Sequence, residues 1–319
     1  MIGIAGLLGL LMIGLSLDIF SSDGDGGDGE GEGPGDPWYP EPEPGPGPEP
    51  EPTGDIYGTD GDDTLQGSDV GDVIFGLAGN DDIEGGGGND DIDAGDGDDV
   101  VNGQEGHDLL QGGDGADTLY GEGGDDMILG GEGDDEAYGD WGNDYVLGEG
   151  GNDMLKGGAG EDALDGGAGN DSLYGGVGSD TLLGGEGDDV MDGLLTTTPG
   201  GPDTDAPDVL FGGEGADVLV MGNGDLGTGG NGEDTFLFGT WIDGEAPVID
   251  DFVAEDDRIV INYDETVNPD PEVTTEIVTD GGNTYTELSL DGQVVGRVLM
   301  NPGAPAVVVA DIALITSPW

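Results

Sequence analysis

The stretch Gly112-Gly113-Asp114-Gly115-Ala116-Asp117-Thr118-Leu119-Tyr120 is one unit of a nine-residue pattern, Gly-Gly-x-Gly-x-Asp-x-apolar-x. The pattern runs without a slip from Gly58 to Asp192, fifteen units in all. Its sixth position is always aspartate: Asp63, Asp72, Asp81, Asp90, Asp99, Asp108, Asp117, Asp126, Asp135, Asp144, Asp153, Asp162, Asp171, Asp180 and Asp189. Its eighth is always apolar, from Leu65 and Ile74 to Leu182 and Met191. The last three positions are expected to be extended, with the eighth side chain inward and the seventh and ninth outward, because side chains alternate along a strand.

Residue chemistry explains the first half of the unit. Glycine enters left-handed backbone conformations at little steric cost, so the chain can turn tightly and aim several carbonyl oxygens at one point. The invariant aspartate adds a charged oxygen. A hard cation such as calcium, which takes about six to eight oxygen ligands in flexible geometry, suits that donor set. The fifteen units also carry 38 acidic residues against one basic residue, Lys156. Two carboxylates 4 Å apart repel by about 1 kcal/mol in water and about 4 at an intermediate dielectric. Without cations the block is expected to stay expanded, as low-hydrophobicity, high-charge chains do. Metal binding then drives folding.

Composition narrows the classes further. The chain has 319 residues, 74 acidic and three basic, for a net charge of −71. Nucleic acid is excluded as a partner, because phosphate contacts need lysine and arginine. Seventy-three glycines argue against an ordinary helical or α/β enzyme. With no cysteine and one histidine, disulfides and the usual zinc sites are excluded.

Five stretches follow along the chain. Residues 1–20 are an apolar N-terminal segment without the basic start of a secretory signal. It reads equally as a membrane-inserted or signal-like segment and as an apolar terminus. Residues 21–53, rich in Asp, Gly, Glu and Pro, read as a disordered, semi-rigid acidic linker. Residues 54–237 hold the repeats, interrupted by an inserted loop at 194–207. The pattern resumes at Asp208-Val209-Leu210-Phe211 and continues through Gly212–Val220. Eight irregular residues then precede a last unit at Gly229–Leu237, which adds Asp208, Asp217 and Asp234 as candidate ligands. Residues 238–319 form an expected β cap, with a hairpin from Thr284 to Met300 turning at Asp291-Gly292 and a final strand within Val307 to Ile315.

The nonapeptide resembles that of the RTX (repeats-in-toxin) family of secreted calcium-binding proteins, also known for its hemolysin-type repeats. The resemblance implies an all-β fold, a right-handed parallel β-roll in which two units make one coil and calcium sits between loops stacked in successive coils. Fifteen loops then form columns of eight and seven, holding roughly a dozen ions. The segments Gly232-Glu233-Asp234-Thr235-Phe236, Ile249-Asp250-Asp251-Phe252 and Asp257-Arg258-Ile259 are similar to the capping region of serralysin-type secreted proteases. That likeness implies a C-terminal signal read by a type I secretion transporter. The function implied is a secreted calcium-binding protein that folds outside the cell, with a structural, cell-surface or adhesion role. The other reading is a calcium-dependent accessory module of a polysaccharide-modifying or lipolytic enzyme system, because similar repeats accompany mannuronan epimerases and lipases.

A catalytic role finds no support in the residues. A single histidine, His107, rules out His-Glu-x-x-His, and it stands at the fifth position where Asn or Asp is usual. Paired carboxylates such as Asp62-Asp63 and Asp98-Asp99 recur from loop to loop, as metal ligation requires. The expectation is a non-enzymatic protein. Local departures should matter: Val70 replaces a fourth-position glycine, Ala94 a first-position glycine, and Ala137 thins the inward row. The outward aromatics Phe75, Tyr120, Tyr138 and Tyr174 look irregularly spaced and read as exposed strand residues.

Overall fold

Two nonapeptides return the chain to its starting direction one strand over, and this single step generates the architecture. The computed structural model describes residues 55–195, 203–265, 269–300, 307–309 and 312–316. The apolar segment 1–20, the linker 21–53 and the centre of the insertion, 196–202, lie outside the described residues. Successive strands alternate between two sheets, one of fourteen strands and one of twelve. Pairing within the repeats is parallel, at a register of one coil, as in Tyr145 with Ala163 and Val146 with Leu164. The result is the all-β parallel roll that the family resemblance implied.

Strands are longer than the three extended positions expected. Thr118–Gly123 and Met127–Glu132 each span positions seven to nine of one unit and one to three of the next. Burial alternates along them, with the eighth-position side chain and the following first-position residue both inside. Only three positions per unit remain for the turn. In the quoted unit Gly113 and Gly115 have φ of 114° and 153°, values that side chains rarely adopt. Leu77, Gln104, Glu122, Asp140 and Glu149 take positive φ at the same second position, between 69° and 85°. Each such left-handed residue costs about 1–2 kcal/mol.

The eighth-position side chains form one continuous core from Ile74 to Met191, continued by Leu210, Leu219, Phe236, Ile249 and Ile259. The eight residues that read as irregular, Met221 to Thr228, are a unit shortened by one. Thr228 holds the ninth position opposite Phe211, which leaves Gly227 at the inward eighth position opposite Leu210. Met221, at the usual glycine position, turns in to fill the space, and a β-carbon on Gly227 would lie 2.7 Å from Met221 Cε. The insertion is absorbed the same way, since Thr181 still pairs with Val209 across ten additional residues.

The aromatic side chains are not irregular once the coil is known. Tyr120, Tyr138, Lys156 and Tyr174 share one column of one sheet. The two leading rings stack at 5.0 Å, and the Lys156 ammonium lies 5.0 Å from the Tyr138 ring and 5.6 Å from the Tyr174 ring. Tyr57 and Phe75 stack at 5.1 Å in the other sheet. Each cation–π contact at an exposed site is worth about 0.5–1 kcal/mol.

Parallel pairing passes beyond the repeats, through Val248–Ile249 in one sheet and Arg258–Asn262 and Ile312–Ile315 in the other. The expected hairpin is present as Asn283–Leu290 and Gln293–Leu299, with Asp291 and Gly292 at φ 53° and 82°. Its second strand joins the roll at Val248–Ile249, where Gly296 makes room for the buried Phe238 ring. Val273–Asp280 adds the last antiparallel strand of that sheet.

The Met221–Gly227 exchange can be read by a double-mutant cycle. Met221→Gly should destabilise the calcium-loaded protein by about 2–5 kcal/mol through a core cavity, and Gly227→Leu by about 1–3 kcal/mol through overpacking. The double variant, which returns a glycine to the start of the unit and an apolar side chain to its inward position, should come within about 1 kcal/mol of the parent in thermal melts at fixed calcium. Additive losses would show that the two side chains do not share one space.

Candidate metal centre

Each loop presents its sixth-position aspartate at the inner side of the turn, two residues before the buried apolar side chain that anchors the next strand. The coil period sorts these aspartates into two columns. Asp63, Asp81, Asp99, Asp117, Asp135, Asp153, Asp171, Asp189, Asp217 and Asp234 form one. Asp72, Asp90, Asp108, Asp126, Asp144, Asp162, Asp180 and Asp208 form the other. In both, the backbone N–H of each aspartate donates to Oδ1 of the aspartate one coil on, at 2.7 to 3.2 Å. The columns end on Asp257 and Asp225, which the sequence reading did not include. Both carry a readable signal: Asp225 closes Gly222-Asn223-Gly224-Asp225 in the shortened unit, and Asp257 stands two residues before the buried Ile259.

The second carboxylate oxygen sets the chemistry. From Asp81 to Asp217, every sixth-position aspartate keeps its Oδ2 buried and without a hydrogen-bond partner. These residues are 1–3 % exposed. Burial of an ionised carboxylate without a partner is expensive, and native structures leave few polar atoms in that state. First-position glycine favours the arrangement, because a β-carbon on Gly112 would collide with Asp117 Oδ2 and with the Gly130 carbonyl; Ala94 is the exception, in the unit of Asp99. The donor set is oxygen only, carboxylate and carbonyl, which suits a hard divalent cation.

Electrostatics point the same way. Desolvation pushes the carboxyls of Asp108, Asp117, Asp153 and Asp162 up to about 7, and the charged neighbours in the column push in the same direction. Asp208 is driven furthest, to about 9, by burial first and by Asp225 and Asp180 beside it.

The first coil differs. Asp63 Oδ2 accepts from the Thr59 N–H and hydroxyl, and Asp72 Oδ2 from the Ser68 N–H and hydroxyl, all within 2.8 Å. The loop that carries Val70 is therefore closed by its own serine. Fifth-position side chains form an outer ladder that runs the opposite way: Asn80 N–H donates back to Asp62 Oδ1, and Ala116 N–H to Asp98 Oδ1. His107 belongs to this ladder. Its N–H donates to Asn89 Oδ1, and its Nδ1 accepts from the Asp125 N–H at 2.8 Å.

Parallel coils flanked by two columns of buried oxygen donors define a β-roll with candidate cation sites in its loops. A family model for the RTX calcium-binding nonapeptide repeat matches residues 57–92, 66–101, 93–128, 102–137, 120–155, 138–173, 165–195 and 203–225. The chain belongs to that family, whose repeats bind calcium. The matches stop at residue 225. No curated protein sequence matches the chain.

Two expectations follow. Asp126→Asn keeps an acceptor for the Asp108 N–H but removes the charge, so it should raise the calcium midpoint of folding roughly 3- to 10-fold. Asp63→Asn, at the end of its column, should only fray one coil. Circular dichroism titrations of both variants decide this, and equal damage from the two would contradict the nearest-neighbour picture. The second expectation concerns pH. A carboxyl raised in the folded state binds its proton more tightly there, so the metal-free roll is favoured at low pH. That stability is lost as pH rises from about 4, the unfolded value, through about 7. Metal-free protein should therefore gain β structure on acidification toward pH 4, and an unchanged far-UV spectrum from pH 8 to 4 would refute this.

Proposed function

We propose that this is a secreted, non-enzymatic calcium-binding protein whose roll forms on calcium outside the cell and serves a structural, surface or adhesion role. The observation that carries the reading is the double column of buried Oδ2 atoms from Asp81 to Asp217. The ligands are the sixth-position aspartates named above together with loop carbonyls, weakest in the first coil, where hydroxyls already satisfy Asp63 and Asp72. Roughly a dozen ions occupy the gaps between stacked loops. Bound calcium supplies the positive charge that a chain of net charge −71 lacks. In a low-calcium cytosol the repeats stay expanded, a state suited to passage through a type I secretion transporter, and extracellular calcium then folds them. Residues 238–319 act as the cap that covers the last coil, where apolar side chains and strand edges would otherwise be exposed.

The test is folding itself. Far-UV circular dichroism of metal-free protein at neutral pH should show disorder, with a steep gain of β structure near the 0.1–1 mM calcium typical of extracellular modules. Magnesium demands near-octahedral geometry and gives up water reluctantly, so at equal concentration it should not form the roll. A roll that persists in excess chelator, or that magnesium forms equally well, would overturn the proposal.

A further inference from the structure

The insertion changes the chemistry of one gap in the column. In regular loops the fourth-position N–H donates to a third-position carbonyl one coil on, as Gly97 does to Asp114 and Gly160 to Val177, both at 2.8 Å. Gly178 holds the fourth position of its unit, and the coil above it carries the insertion. Its N–H is taken instead by a side chain, Asp205 Oδ1, at 2.8 Å. A carboxylate thus stands where the other loops offer a neutral backbone oxygen.

The consequence is a three-carboxylate cluster. One oxygen each from Asp180, Asp205 and Asp208 lies within 4.8 Å of the other two, and no other group of three acidic side chains is gathered this tightly among the described residues. Asp180 and Asp208 are each 1 % exposed. The Oδ2 atoms of all three lack a hydrogen-bond partner. The insertion is held in place at this point. Asp203 N–H donates to the Trp241 carbonyl at 3.0 Å, and Asn223 Nδ2 donates to the Asp203 carbonyl at 2.9 Å. Asp205 N–H in turn donates to Asp203 Oδ1.

We propose that Asp180, Asp205 and Asp208 form a distinct divalent-cation site, created by the insertion, that binds calcium more tightly than the regular gaps and fills first. The inference rests on the reading that the columns hold calcium. Its physical basis is ligand charge, which tunes calcium affinity over orders of magnitude. In a quasi-one-dimensional stack, the site that fills first is where the roll is seeded.

Calorimetric titration of the metal-free full chain with calcium tests this. The parent should show one tight class of about one ion, at least ~10-fold stronger than the cooperative class that follows. Asp205→Asn keeps an acceptor for the Gly178 N–H but loses the charge, and it should remove the tight class while leaving the cooperative class in place. Asp205→Glu should recover tight binding, and Glu186→Gln, an exposed strand residue, should behave as the parent. A parent without a tight class, an Asp205→Asn titration that superposes on the parent, or an Asp205→Glu variant as defective as Asp205→Asn would overturn the inference. A parent with neither class would instead overturn the calcium reading of the columns.

Discussion

A carboxylate oxygen held away from water with nothing to pair it is the constraint on which this roll depends. The aspartates from Asp81 to Asp217 each spend one oxygen on the backbone N–H of the preceding coil and leave the other buried and unpaired. The first oxygen locks the register between coils. The second makes the same geometry unfavourable unless positive charge arrives. On the proposed calcium reading, structural order and cation supply become one equilibrium, since a site absent from the unfolded chain converts binding free energy into folding free energy.

The stack tolerates irregularity because each coil meets only its neighbours. Met221 fills the space left at Gly227, and the shortened unit keeps both its strand and its aspartate. The ten-residue insertion leaves the pairing of Thr181 with Val209 intact and returns an anionic oxygen to the loop column through Asp205. Ala94 and Ala137 are fully buried without interrupting the core. Lys156, the repeats' single basic residue, sits between two tyrosine rings rather than against a carboxylate. Defects stay local, and the two columns run from the first coil to Asp225 and Asp257.

The outer ladder adds a second function to the fifth position. Its side chains accept from the following coil, while the sixth-position aspartates accept from the preceding one. Loops whose fifth residue carries an acceptor are clamped from both directions before any cation is considered. The fifth position needs an acceptor more than it needs a charge, which explains why Asn80, Asn152 and the Nδ1 of His107 serve beside Asp62 and Asp98.

Period and residue type by themselves determined the extended segments, the inward apolar row and most of the candidate ligands, while the two-unit coil was implied by the resemblance to the RTX family. An aspartate every nine residues, with an apolar residue two places later, leaves little freedom once the strand alternation is applied. The hairpin at Asp291-Gly292 was legible for the same local reason. What lay beyond the sequence were the details of contact across the doubled period: the six-residue strands, the column of Tyr120, Tyr138, Lys156 and Tyr174, and the opposite directions of the two ladders. These are contacts between residues eighteen apart, so no nine-residue window contains them. Compensation was equally hidden, because Met221 and Asp205 replace a missing side chain and a missing carbonyl across a turn or a coil. Only the tertiary structure decided that an apparent break in the pattern fills the core and that an apparent insertion brings a third carboxylate to Asp180 and Asp208, since both effects depend on which atoms meet in space.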